Sequence, residues 1–208
     1  MNTNQLQSET TCKINCNRRS FILKGSQLAA GITLIPGILS VSASNFSFQQ
    51  RTKEEIYKQL DELVYKNFPV YGTCSQTSFS TLNEVFHLDS ENITKALASF
   101  PGIAMRGETC DSVSGCLLGI ALVYEKDSDG KERPKLSDGP SMNFCTRFEN
   151  EYGSTRCRDV IQKVTKKEYQ VTKPEDYGIL AQEGALNNCP EVVKKAVHIA
   201  ADIILEKV

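Results

Sequence analysis

A chain of 208 residues, 40% hydrophobic and 24% charged, is long enough for one domain with a true core and has the composition of a soluble globular protein. Its net charge of -1, with no basic patch interleaved with aromatics, excludes nucleic acid as a partner. Eight cysteines (Cys12, Cys16, Cys74, Cys110, Cys116, Cys145, Cys157 and Cys189) are many for a reducing cytoplasm, and they call for disulfides, a metal site or thiol chemistry.

The stretch Asn17-Arg18-Arg19-Ser20-Phe21-Ile22-Leu23-Lys24 resembles a twin-arginine (Tat) export signal. A mildly apolar run from Leu28 to Val41 follows, too short and too broken by Gly31, Pro36 and Gly37 for a membrane span. Val41-Ser42-Ala43 suits cleavage after Ala43, so residues 1–43 are expected to be a signal peptide and residues 44–208 the mature domain. The alternative is a leader that stays on as an N-terminal anchor. The resemblance implies export by the Tat route to the periplasm or the outer face of the cytoplasmic membrane, with no stable membrane span after cleavage. Cleavage would remove Lys13, Arg18, Arg19 and Lys24 against Glu9, taking the net charge from -1 to -4, and Cys12 and Cys16 would leave with the leader.

The mature chain reads as helices. Ile56, Leu60, Leu63, Val64 and Phe68 share one face of a helix over 52–68, with a Thr52/Glu55 capping box at its start and Pro69 as its expected end. Cys74 opens a second helix with Phe79, Leu82, Val85 and Phe86 inward. Asp89 or Ser90 caps a third, with Ile93, Leu97 and Phe100 inward. Pro101-Gly102 and Gly107 bound a loop, Thr109 is the expected N-cap, and a central apolar helix follows over 110–124. Residues 126–140 read as a polar surface loop. Residues 141–152 form a helix with Met142, Cys145 and Phe148 on one stripe, and Cys157 begins a short helix with Val160 and Ile161. Residues 168–177 read as irregular. Asn188-Cys189-Pro190-Glu191 opens the last helix, which buries Val193, Ala196, Val197, Ala200 and Ile204. No stretch sustains period-2 alternation, so the expected fold is all-α, a single-domain bundle of about six helices with irregular loops.

Cys74, Cys110, Cys157 and Cys189 each fall at an expected helix start, where unpaired N–H groups and the helix dipole favour a thiolate. Four such thiols converge if the helices pack with those ends together. No Cys-x-x-Cys is present, so zinc-ribbon and thioredoxin signatures are missing. Cys116 and Cys145 sit mid-helix on apolar faces and are expected to pack as small hydrophobes, although Cys116 lies only a turn and a half from Cys110. His87 and His198 are expected to be packed or exposed rather than ligands. No nucleophile elbow and no phosphate-binding glycine loop is present.

The chain resembles the family of redox-active proteins named for its Cys…Gly-Cys-Ala-x-x-Gly…Cys…Cys signature. The likeness rests on Asn67 to Cys74 leading into a helix, on Arg106 to Cys110 with Gly115, on Tyr152-Gly153 before Cys157, and on Cys189 opening an Ala-rich helix. It carries the family cysteines onto Cys74, Cys110, Cys157 and Cys189. The family's small residue after the second cysteine is here Asp111, which must point outward if a buried anionic cluster sits beside it.

Three chemistries are open from the sequence. The first is electron transfer through a thiolate-bound metal or iron–sulfur (2Fe-2S) site on Cys74, Cys110, Cys157 and Cys189, with a redox partner protein and a site closed within one chain or across a homodimer. The second is cofactor-free thiol–disulfide exchange, with Cys110 attacking, Cys74 or Cys189 resolving, and Arg106, Glu108 and Thr109 shaping the pocket. The third is a structural or binding module stapled by disulfides.

Overall fold

The computed structural model describes residues 51–125 and 139–207; the leader at 1–43 and nearly all of the polar loop at 126–138 lie outside the described residues. Eight helices are described: α1 (Lys53–Tyr71), α2 (Cys74–Phe86), α3 (Glu91–Ala96), α4 (Asp111–Glu125), α5 (Pro140–Tyr152), α6 (Cys157–Thr165), α7 (Pro174–Gln182) and α8 (Cys189–Leu205). Short 3-10 turns follow α3 and precede α8. The described residues contain no β-strand, only one isolated antiparallel bridge between Thr109 and Arg156. The all-α expectation holds, with eight helices in place of about six.

The boundaries differ from the sequence reading in instructive places. The Thr52/Glu55 capping box forms, but Pro69 does not end α1. It sits in the last turn, where one lost N–H bond is tolerable, and Gly72 closes the helix in the left-handed conformation, its N–H bonded to Phe68 O at 2.8 Å. Thr109 is not the cap of α4. It lies on the bridge to Arg156, and α4 starts one residue beyond Cys110, whose carbonyl accepts the first helical bonds from Val113 and Ser114. Phe100 (38% exposed) and Met142 (51%) face solvent; the inward positions are Thr94 in α3 and Phe144 with Phe148 in α5. The stretch over 168–177 is not all irregular, because α7 begins at Pro174 inside it. There the Asp176 carboxylate accepts the N–H groups of Thr172 (2.9 Å) and Lys173 (3.1 Å).

Two glycines set the tightest helix crossing. A Cβ on Gly115 would lie 2.1 Å from Ser78 Oγ and 2.5 Å from Ser75 O, and one on Gly119 would lie 2.9 Å from Leu82 Cδ1. The register, 75–78 against 115 and 82 against 119, makes α2 and α4 parallel. Tyr124 of α4 bonds Ile203 O of α8 at 3.0 Å, so α8 runs the same way. The first helix is antiparallel to α8: Tyr57 bonds Asp202 at 2.6 Å, and His198 bonds Asp61 at 2.7 Å while stacking on Tyr57. The N-termini of α2, α4 and α8 and the C-terminus of α1 therefore share one end of the bundle. The main core fills the space between these helices and α5 with Leu60, Leu82, Ile120, Phe144, Phe148, Val197 and their neighbours. A smaller cluster of Ile161, Val171, Leu180 and Ala185 joins α6 to α7. Among the described residues, no helix is long and apolar enough to cross a membrane.

Candidate four-cysteine site

At the end of the bundle where α2, α4 and α8 begin, a cavity of about 450 Å³ lies between the main core and the α6–α7 cluster. Cys74, Cys110, Cys157 and Cys189 all line it. Three of them are the first residues of α2, α6 and α8, and Cys110 immediately precedes α4. The starts of four helices thus border one cavity. The sequence placed each cysteine at a helix start; the packing brings those starts together within one chain.

Local structure explains the convergence. Tyr71 and Gly72 turn the chain from α1 into α2, with Thr73 as an N-cap accepting from Gln76 N–H. Cys110 and Cys157 are held by a short backbone ladder, in which Cys110 N–H bonds Thr155 O (2.7 Å), Cys157 N–H bonds Glu108 O (2.5 Å) and Arg158 N–H bonds Gly107 O (3.3 Å). The 3-10 turn at Ala185–Asn188 delivers Cys189 directly into α8, with Pro190 in the first turn. Arg106, Glu108 and Thr109 do not line the cavity, contrary to the expectation for them; Glu108 instead faces Arg158 at 3.9 Å.

The thiols are not the low-pKa thiolates that helix starts alone would give. Burial pushes Cys110 up to about 12, with the Asp111 charge as the second cause. Burial, then the neighbouring Cys110, raises Cys157 well above its ordinary value. Cys74 is raised first by its hydrogen bond with the Cys189 thiol and then by burial. Desolvation outweighs the helix ends here because the cavity wall is made of apolar groups such as Phe68, Val160, Ile161, Val164, Leu186 and Val192.

Asp111 also departs from expectation. It is 5% exposed, lines the cavity and takes a short hydrogen bond from Gly102 N–H, so it does not point outward. Burial raises its pKa to about 7, which leaves it largely neutral in mildly acidic conditions. The partner segment is a left-handed turn: Gly102, Ile103, Ala104 and Met105 have φ of 46°, 51°, 54° and 60°. Gly102 and Met105 of this turn line the cavity.

Tyr177 was not singled out in the sequence, because it lay at the end of a stretch read as irregular. Its phenol meets Cys157 Sγ at 3.4 Å. The signal that could have found it is Pro174-Glu175-Asp176, a proline and two carboxylates in a first helical turn. Burial, then Cys157, raises the phenol pKa, so it stays protonated. Cys116 and Cys145 do not line the cavity. Cys116 is fully buried in the main core and Cys145 packs against it, as expected for cysteines in a packing role. His198 is engaged with Asp61 and Tyr57, and His87 is the left-handed cap that ends α2.

All six described cysteines are free thiols. Among the described residues no three His, Cys, Asp or Glu side chains stand close enough together to grip a single metal ion. The four cysteines line one cavity bordered by the starts of four helices, and burial holds Asp111 beside them toward its neutral form.

A family model described as "Putative redox-active protein (C_GCAxxG_C_C)" matches residues 72–203, which include all four cavity cysteines. No curated protein and no solved structure matches the chain.

Proposed function

The chain belongs to the C_GCAxxG_C_C family of redox-active proteins, and on that footing we propose that it carries electrons at an iron–sulfur cluster held by Cys74, Cys110, Cys157 and Cys189. The observation that carries this reading is the meeting of four cysteine-bearing helix starts on one cavity. When bound, such a cluster supplies one-electron transfer at a potential set by its surroundings. The protein's part is to present four thiols in one space, to offset their negative charge with helix ends, to hold Asp111 toward its neutral form beside them, and to surround them with apolar groups. The leader expected at residues 1–43 would export the domain already folded and loaded, to meet a redox partner outside the cytoplasm.

One observation favours a second reading. The Cys189 thiol is the first cause of the raised Cys74 pKa, so the two are close neighbours on the cavity wall. In cofactor-free exchange these two, rather than Cys110, form the working pair. They give two electrons and two protons to a disulfide of a partner protein and close a Cys74–Cys189 bond, while the partner leaves with two thiols.

Anaerobic purification of the full chain, with iron analysis and a visible spectrum, separates the two. Stoichiometric iron and absorption that bleaches on reduction support the cluster, and serine at any of the four positions then removes iron. Colourless, iron-free protein that oxidises to a Cys74–Cys189 disulfide, mapped by mass spectrometry, overturns it in favour of exchange.

A further inference from the structure

We propose that Tyr177 is a positioning residue of the four-cysteine site, one whose phenol donates a hydrogen bond to the Cys157 sulfur and biases the site toward its reduced state. This rests on the cluster reading above, in which Cys157 is one of the four ligands.

Two observations fix the phenol. Its oxygen lies 3.4 Å from Cys157 Sγ. The second is a space reserved for the hydroxyl: a Cβ on Gly102 would lie 1.9 Å from Tyr177 Oη but 3.1 Å from Cζ. Any side chain at 102 collides with the hydroxyl itself, and much less with the ring. Once Cys157 has given up its hydrogen to bind metal, the phenol is the one donor left in the pair. A donor to sulfur favours the more electron-rich state, because that state places more negative charge on the sulfur.

The test is an equilibrium redox titration of the full chain as wild type, Tyr177→Phe, Gly102→Ala and the double variant, with helicity checked by circular dichroism. Tyr177→Phe is expected to shift the equilibrium about tenfold toward the oxidised state, a midpoint lower by about 59 mV for the one-electron couple. Gly102→Ala keeps the tyrosine but displaces its hydroxyl, so it moves the midpoint the same way. In the Phe background the clash with the hydroxyl is gone, so the further shift is smaller. If Tyr177→Phe does not fold, the Gly102→Ala midpoint decides. An unchanged midpoint in Tyr177→Phe, or a Gly102→Ala shift that is undiminished in the Phe background, overturns the assignment of Tyr177 alone. A wild-type protein with no redox transition overturns both this assignment and the redox reading.

Discussion

At residue scale, the contest between burial and the helix end decides the chemistry of Cys110. An N-terminal position alone predicts a depressed thiol pKa; burial with an adjacent carboxylate gives about 12. Asp111→Asn removes the charge while its amide oxygen still accepts from Gly102 N–H. The Cys110 pKa should fall, seen as alkylation of Cys110 beginning at lower pH; a rise would contradict the assignment of Asp111 as a cause. The same variant has a stability signature. The Asp111 pKa is raised in the fold from 3.8 to about 7, so the folded state holds the proton more tightly. Its contribution is fully present below about pH 4 and is lost as pH rises to about 7, by as much as about 4 kcal/mol. Urea unfolding at about pH 5 and about pH 8 should show this decline in wild type and a flatter profile in Asp111→Asn. The two classes of cysteine separate just as directly. Cys110→Ser should abolish the redox signal. Cys145→Ser should lower stability by about 1 kcal/mol and leave the signal in place, because Cys145 packs on the core away from the cavity.

At the scale of elements, two features hold the site in shape. The first is the left-handed turn at 102–105. Left-handed backbone costs a non-glycine residue roughly 1–2 kcal/mol. Ile103 is β-branched and 40% exposed, so it bears that cost with little packing to offset it. Ile103→Gly should raise stability by about 1 kcal/mol, read as a higher denaturant midpoint; a lower midpoint would mean that the Ile103 side chain contributes more than its backbone costs. The second feature is the crossing of α2 and α4. A methyl at Gly115 collides with Ser78 Oγ and with the Ser75 carbonyl, and backbone cannot step aside as a side chain can. Gly115→Ala should cost about 1–3 kcal/mol, and it should weaken the redox site by moving Cys74 away from Cys110. Gly119→Ala meets the end of Leu82, which can change rotamer, so its effect should be smaller on both readouts. The opposite order would contradict the parallel packing of these helices as the source of convergence.

At the scale of the molecule, all four cysteines reach the cavity from a single chain. The α1–α8 pairing through Tyr57, Asp61, His198 and Asp202 sets the end of α1 beside the start of α8 without any help from a second copy. The redox midpoint should therefore be independent of protein concentration. A marked dependence, with loss of signal on dilution, would show that a second chain completes the site.

The sequence by itself determined the all-α class, the capped start of α1, the helix starts at Cys74, Cys157 and Cys189, and the buried stripe of α8. Each of these is written within one or two turns of chain, in caps, breakers and 3.6-residue periodicity. It also separated the four helix-start cysteines from Cys116 and Cys145, because position along a helix is a local property. Only the tertiary structure decided that α2, α4 and α8 run parallel, so that their cysteine-bearing ends meet. That direction is set by close contacts such as Gly115 on Ser78, between residues 37 positions apart, and no local pattern encodes it. The structure likewise decided that Asp111 turns inward, that Cys110 is a neutral thiol, and that Tyr177 belongs to the site. Burial and hydrogen-bond partners set the chemistry of these groups, and both come from segments distant in sequence that packing brings to them.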